Sequence, residues 1–176
     1  MRLHITAILI ASIACVPCFA QVGSPHPSAG GQSIPYVPVP HFDASRDVAE
    51  DISAAIAEAQ RTQKRIILYV GGPWCPYCDQ LETLFQKNPN LRQLRDAHFI
   101  TVPVYSGSEN KNDHALAAYT PVLGVPHFFV LASDGTLLHS QHMVELRANA
   151  DYSPSKMQDF LERWRETPLA TTPPHP

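Results

Sequence analysis

The sequence is short of charge, of glycine and of methionine. Charged residues make up 16% of its 176 residues and the net charge is −3, so the basic excess that marks a nucleic-acid binder is missing. No G-x-G-x-x-G run occurs, which removes the usual fingerprint of a nicotinamide or flavin site, and no cofactor is expected. Three methionines leave no thioether-rich cluster for copper. There is no Asn-x-Ser/Thr acceptor, no C-terminal retention tetrapeptide and no internal repeat. Eight glycines stand against seventeen prolines, and the prolines gather near the two ends. Apolar residues, at 44%, suffice for one core, and the length fits one domain with terminal extensions.

Only one long apolar run is present, Leu3 to Ala14. Arg2 precedes it, Pro17 breaks it, and Cys18-Phe19-Ala20 places small residues where a signal peptidase cuts. The run is shorter than the roughly 20 apolar residues of a membrane span. Residues 1–20 therefore read as a signal segment, and the expected location is periplasmic or secreted, with no membrane span. Cleavage and acylation at Cys15 is the alternative, disfavoured by Ser12 where a Leu-like residue is expected. Either way, Cys15 and Cys18 form no redox pair in the mature chain.

Residues 21–41 read as a Pro/Gly-rich tether, residues 42–166 as the folded domain and residues 167–176 as a disordered tail. Asp43 is placed to cap a helix running to about Gln63. Arg65–Val70 is an unbroken apolar run, as expected of a strand buried on both faces. A helix starts near Cys75 with Cys78, Leu81, Leu84 and Phe85 on one face. Asn88-Pro89 opens a further helix as cap and first residue. Phe99–Tyr105 reads as a strand, and Pro103 places it at the sheet edge because proline lacks a ladder donor. Asp113–Tyr119 is a short helix. His127–Ala132 and Thr136–Gln141 form a hairpin across Asp134-Gly135. Ser153-Pro154 opens the last helix, with Met157, Phe160, Leu161 and Trp164 at helical spacing. A helix separates the first two strands, so they pair in parallel with a right-handed crossover, and the hairpin makes the sheet mixed.

The chemistry lies in Trp74-Cys75-Pro76-Tyr77-Cys78, where a buried strand turns into a helix. Free N–H groups and the macrodipole at a helix start favour an anion, here the Cys75 thiolate. Cys78 follows by almost one turn and can return to Cys75, while Pro76 is harmless in the first turn. Cys75 then exchanges with a substrate disulfide and Cys78 resolves the mixed disulfide. Other uses of the pair stay open. Zinc needs four ligands, and the remaining cysteines lie in the signal segment. A structural disulfide closing so short a loop gains little chain entropy. A fold that merely kept its cysteines is the third.

WCPYC after a buried strand, with Gly124-Val125-Pro126 opening a later one, resembles the thioredoxin superfamily over about Asp43 to Glu166. The stretch VPHFFVLASDGTLLHSQ is most similar to exported, periplasmic-type members with an extended N-terminal helix. The resemblance implies a thioredoxin-like α/β fold, a mixed four-stranded sheet flanked by helices. It implies Cys75 as attacking and Cys78 as resolving cysteine, with Trp74 shielding the pair. It implies a cis Pro126, with the Val125 backbone pairing with substrate. Trp74, Pro76, Tyr77, Val125 and Pro126 form the expected substrate-binding set, and Tyr77 and His127 line the rim, with a plain strand-end histidine an equal reading of His127. Two positions depart from the family pattern. Tyr69 stands where a buried carboxylate often precedes the first cysteine, and Asp79 replaces a common basic residue. The other histidines, including His26, His41, His139, His142 and His175, read as surface or tail.

The expected function is an exported thiol–disulfide oxidoreductase acting on protein cysteines, with a redox partner protein for its electrons. Pro-Tyr between the cysteines resembles glutaredoxins and some isomerases, Val125 resembles periplasmic oxidases, and the reductase direction is preferred. The alternative is a copper-binding module using the dithiol and His127, or a redox-inert interaction module. No metal is assigned.

Overall fold

The computed structural model describes residues 36–165. The signal segment, residues 21–35 of the tether, Glu166, the tail, His26 and His175 lie outside the described residues.

Helix α1 spans Val48–Thr62. Its cap is Asp47, which accepts from the N–H groups of Ala49 at 2.9 Å and Glu50 at 3.2 Å. This corrects the expectation for Asp43, whose carboxylate is occupied by the N–H and hydroxyl of Ser45 in a local turn. Strand β1, Arg65–Gly71, has Ile66, Leu68 and Val70 on one face and Ile67 and Tyr69 on the other, all buried. Period-two alternation sends the two sets into two different apolar clusters. Ile66, Leu68 and Val70 meet Val48, Ile52, Ala55 and Ala59 of α1. On the opposite face Ile67 and Tyr69 share a cluster with Leu81, Leu84 and Phe85 of α2 (Pro76–Lys87) and Leu91 of α3 (Pro89–His98). Met157, Phe160 and Leu161 of α5 (Pro154–Trp164) complete that layer.

Strand β2, Phe99–Tyr105, pairs in parallel with β1 and forms the sheet edge. Pro103 stands opposite Tyr69 there, and since the Ser106 N–H donates to Gly71 O of β1, alternation along the strand turns the Pro103 nitrogen away from the ladder. Strands β3, His127–Leu131, and β4, Leu137–His142, complete the order β2-β1-β3-β4. Gly135 turns the hairpin at φ +88°, and a Cβ there would stand 2.7 Å from Ile56 Cδ1.

Three other local differences have local causes. Asn88 holds the expected cap position of α3, but its side chain donates back to Leu84 O of α2 at 2.7 Å. Helix α4 covers only Asp113–Leu116 and does not reach Tyr119. Pro121 lies shortly beyond, and a residue preceding proline avoids the helical region. After β4 the chain makes a 3-10 turn, Met143–Leu146, and a ribbon of β5 (Arg147–Ala148) and β6 (Asp151–Tyr152). Segments this short carry no hydrophobic period, so the ribbon was illegible in the sequence. Its Met143, Leu146 and Tyr152 are buried in the same cluster as Cys75 and Cys78. The described end of the proline-rich segment also packs. Tyr36 lies against the α1-side cluster, Phe42 against the dithiol-side cluster, and Val39 is buried.

Candidate active site

The turn after β1 sets Cys75 as the N-cap of α2, in extended backbone at φ −98°, ψ 108°. Its N–H donates to Gly72 O at 3.1 Å, and its carbonyl accepts from Cys78 at 3.0 Å and Asp79 at 3.2 Å. The Cys75 sulfur accepts from the Cys78 N–H at 3.3 Å, a thiol in the role usually taken by a serine or aspartate oxygen. Pro76 opens the first turn, where it forfeits no helical bond. Both cysteines are free thiols, 2% and 1% exposed.

Behind them lies a cavity of about 280 Å³ bordered by Cys78, Tyr69, Glu82 and Asp79, with Pro40, His41 and Phe42 along one side. Burial pushes the Cys78 thiol up to about 12, and its hydrogen bond with Cys75 adds to this. The Gly72 N–H and the Tyr69 hydroxyl pull the other way. Tyr69 is itself driven above its ordinary range by burial, so it stays protonated as a donor, bonded to Cys78 O at 3.3 Å. Phe42 packs edge-on against Tyr69, with ring centroids 4.7 Å apart. Burial also raises the Glu82 carboxyl, with Arg95 opposing and Asp79 reinforcing the shift, although the residue keeps solvent access. Tyr69 thus holds the place of the buried acid, and a carboxyl stands on the helix instead. Glu82 escaped the sequence reading, yet its spacing of four from Cys78 puts both on one helix face and could have revealed it.

Beside the first turn of α2 a groove of about 350 Å³ brings Tyr77, Val125 and Pro126 together, and neither cysteine lines it. The Val125–Pro126 bond is cis, as expected. The 3-10 turn and ribbon supply the opposite wall, with Met143, Val144, Arg147 and Tyr152. Trp74 and Pro76 are exposed but do not line this groove. Trp74 instead lies beside Gly72, Gly107 and the Tyr105 hydroxyl, and Tyr105 donates to the Glu109 carboxylate.

His127 is not at the rim. It is wholly buried on the inner strand β3, with Nε2 2.9 Å from Ser140 Oγ and no partner for Nδ1. Burial, with His142 and His139 nearby, lowers it to about 4, so the ring is neutral. A strand with neighbours on both sides leaves its first residue no path to solvent, which is what the rim expectation overlooked. His139 stacks on Trp164 at 4.5 Å and His142 meets His127 edge-on at 5.2 Å, so both are packing groups as well as surface ones. His41 borders the rear cavity. Among the described residues, no three His, Cys, Asp or Glu side chains converge as a metal site, and no helix is long and apolar enough to cross a membrane.

Comparison with known proteins agrees with this geometry. A disulphide isomerase from Xylella fastidiosa Temecula1 superposes with a TM-score of 0.61 at 26% identity, over 72% of this chain and 97% of that one. The oxidised C-terminal domain of DsbD from Neisseria meningitidis shares the fold, with a TM-score of 0.51 at 18% identity over 68% of this chain and 97% of that one. No curated protein sequence matches the chain. The model of the thioredoxin-like domain family matches residues 52–142, more than half of the sequence. With a dithiol capping the helix after β1 and a cis-proline before β3, the chain belongs to the thioredoxin-like domain family.

Proposed function

We propose that the chain is an exported thiol–disulfide oxidoreductase that reduces disulfides in other proteins. The observation that carries this is Cys75 at the helix N-cap with the Cys78 N–H on its sulfur. Peptide N–H groups at that position stabilise a sulfur anion as it forms or leaves. A substrate segment lies across Tyr77 and Val125. The Cys75 thiolate attacks one sulfur of the substrate disulfide, and the other sulfur departs as a thiolate. Cys78 loses its proton towards the rear cavity, where the Tyr69 hydroxyl lowers the thiol and Glu82 offers a carboxylate. The Cys78 sulfur then attacks Cys75, releasing the second substrate thiol and closing the Cys75–Cys78 disulfide. Two electrons have passed to the substrate, and a partner protein returns them.

The reducing direction is supported by the surroundings of the pair. Asp79 follows Cys78 directly, and burial holds the Cys78 thiol at about 12. Neither stabilises a thiolate, and pairs whose reduced form is stabilised are the oxidising ones. Export is supported by residues 1–20.

The test is a trap. Cys78→Ser, mixed with a disulfide-bonded peptide, accumulates a covalent adduct at Cys75, and Cys75→Ser gives neither adduct nor turnover. Wild-type protein that performs no exchange, but binds copper(I) tightly through both sulfurs, would move the reading to the copper-binding alternative.

A further inference from the structure

Large apolar side chains are exposed at six described positions, and three of these, Tyr77, Leu123 and Val144, line one groove beside the first turn of α2. Leu123 is 79% and Val144 70% exposed, and with Tyr77 they share one groove instead of lying scattered. Arg147 is the only permanently charged residue on the groove's lining. Its guanidinium lies 4.6 Å from the Tyr77 ring centroid and 5.2 Å from that of Tyr152. One arm donates to Gln80 Oε1 at 2.9 Å and the other to Ala150 O. No carboxylate pairs with it among the described residues.

An arginine held by two rings and two hydrogen bonds has already lost its rotamer freedom. It therefore binds an anion without that further ordering loss, through the N–H groups that Gln80 and Ala150 leave free. Neither anchor makes a functional anion redundant, because both acceptors, Gln80 and Ala150, are neutral.

We propose that this groove selects polypeptide segments that set an apolar side chain against Leu123, Val125 and Val144 and a carboxylate against Arg147. The inference rests on the oxidoreductase reading and narrows its substrates to cysteines flanked by apolar and acidic residues. The 3-10 turn and the β5–β6 ribbon are then the specificity element, since they contribute Val144 and Arg147 to a site whose sulfurs lie on α2. Arg147 also reaches the dithiol helix, through Tyr77 and Gln80, so substrate charge is read at the first turns of the helix that the two cysteines open.

The test compares three synthetic disulfide-bonded peptides in which a Leu flanks the cysteine and one further residue is Glu, Gln or Lys. Turnover is measured with dithiothreitol as electron source, for wild type, Arg147→Lys and Arg147→Gln. In wild type at low salt, kcat/KM for the Glu peptide exceeds that for the Lys peptide by about tenfold, and added salt shrinks the ratio. Arg147→Lys keeps only part of the preference, since an ammonium carries the charge without the fork or the ring stacking, and Arg147→Gln brings the ratio to within about twofold. Because each variant is judged by its own ratio, a general loss of activity does not imitate the result. Equal rates for the Glu and Lys peptides in wild type, or a preference that survives Arg147→Gln, overturn the proposal. Wild type that reduces none of the peptides overturns the oxidoreductase reading and this inference with it.

Discussion

Replacing Tyr69 with phenylalanine isolates what its hydroxyl contributes to the resolving step. The ring stays, so packing against Phe42 and Phe128 is preserved, while the hydroxyl that donates to the Cys78 carbonyl and lowers the Cys78 thiol is lost. In the wild-type protein, burial has already carried Cys78 from an ordinary 9.0 to about 12. At neutral pH that leaves roughly one molecule in 10⁵ with the thiolate formed. Tyr69 is one of the two groups that hold the value down. Losing a hydrogen bond to a charged group of this kind is worth about one pKa unit. Thiolate then falls about tenfold, while the more basic sulfur recovers about threefold in intrinsic nucleophilicity, so resolution slows by about three- to fourfold. The assay is rapid mixing of reduced protein with a peptide disulfide, acid quenching, and counting of the Cys75 adduct by mass. Tyr69→Phe is expected to lengthen the adduct's lifetime and leave its rate of formation nearly untouched. Resolution as fast as in wild type across about pH 6 to 9 would refute the reasoning, because Tyr69 would then make no contact that matters to Cys78.

Three further outcomes follow from the same structure. Glu82→Gln removes the carboxylate bordering the rear cavity, and resolution is expected to slow most near neutral pH and least in alkali, where hydroxide replaces the base; a pH–rate profile parallel to wild type contradicts this. Gly71→Ala would put a Cβ 2.6 Å from Cys78 Sγ and 3.0 Å from Phe42 Cζ. It is expected to lower stability by about 1–3 kcal/mol in urea melts and to delay resolution. His127 has a folded value of about 4 against an ordinary 6.5, so the unfolded chain takes up its proton first as pH falls. Its contribution is intact above about pH 6.5 and is lost down to about pH 4, by roughly 3 kcal/mol in all. His127→Gln is expected to flatten that part of the stability–pH curve, and an unchanged slope in denaturant melts at stepped pH contradicts it.

The strands and long helices were legible because their burial is periodic. RIILYV and FITVPVY stand where their apolar runs placed them, and Pro103 named the edge correctly. The dithiol was legible because a cysteine at a strand-to-helix turn has few other uses. What escaped depends on partners distant in sequence. Asp43 reads as the cap in the sequence, but the N–H and hydroxyl of Ser45 take its carboxylate and Asp47 caps the helix instead. His127 looks like a rim residue until β4 is laid beside β3. Arg147 and Tyr152 sit in two-residue strands that fold onto α2 from the far end of the domain.

The most direct test is equilibration of the purified domain against a graded dithiothreitol or glutathione redox buffer, with the thiols counted after acid trapping. The proposed chemistry requires Cys75 and Cys78 to leave the free-thiol state together, as one reversible two-electron couple. Its potential is expected near the reducing end of the range of roughly −270 to −120 mV spanned by related dithiols. Two cysteines that oxidise independently, or that stay reduced throughout, would contradict it.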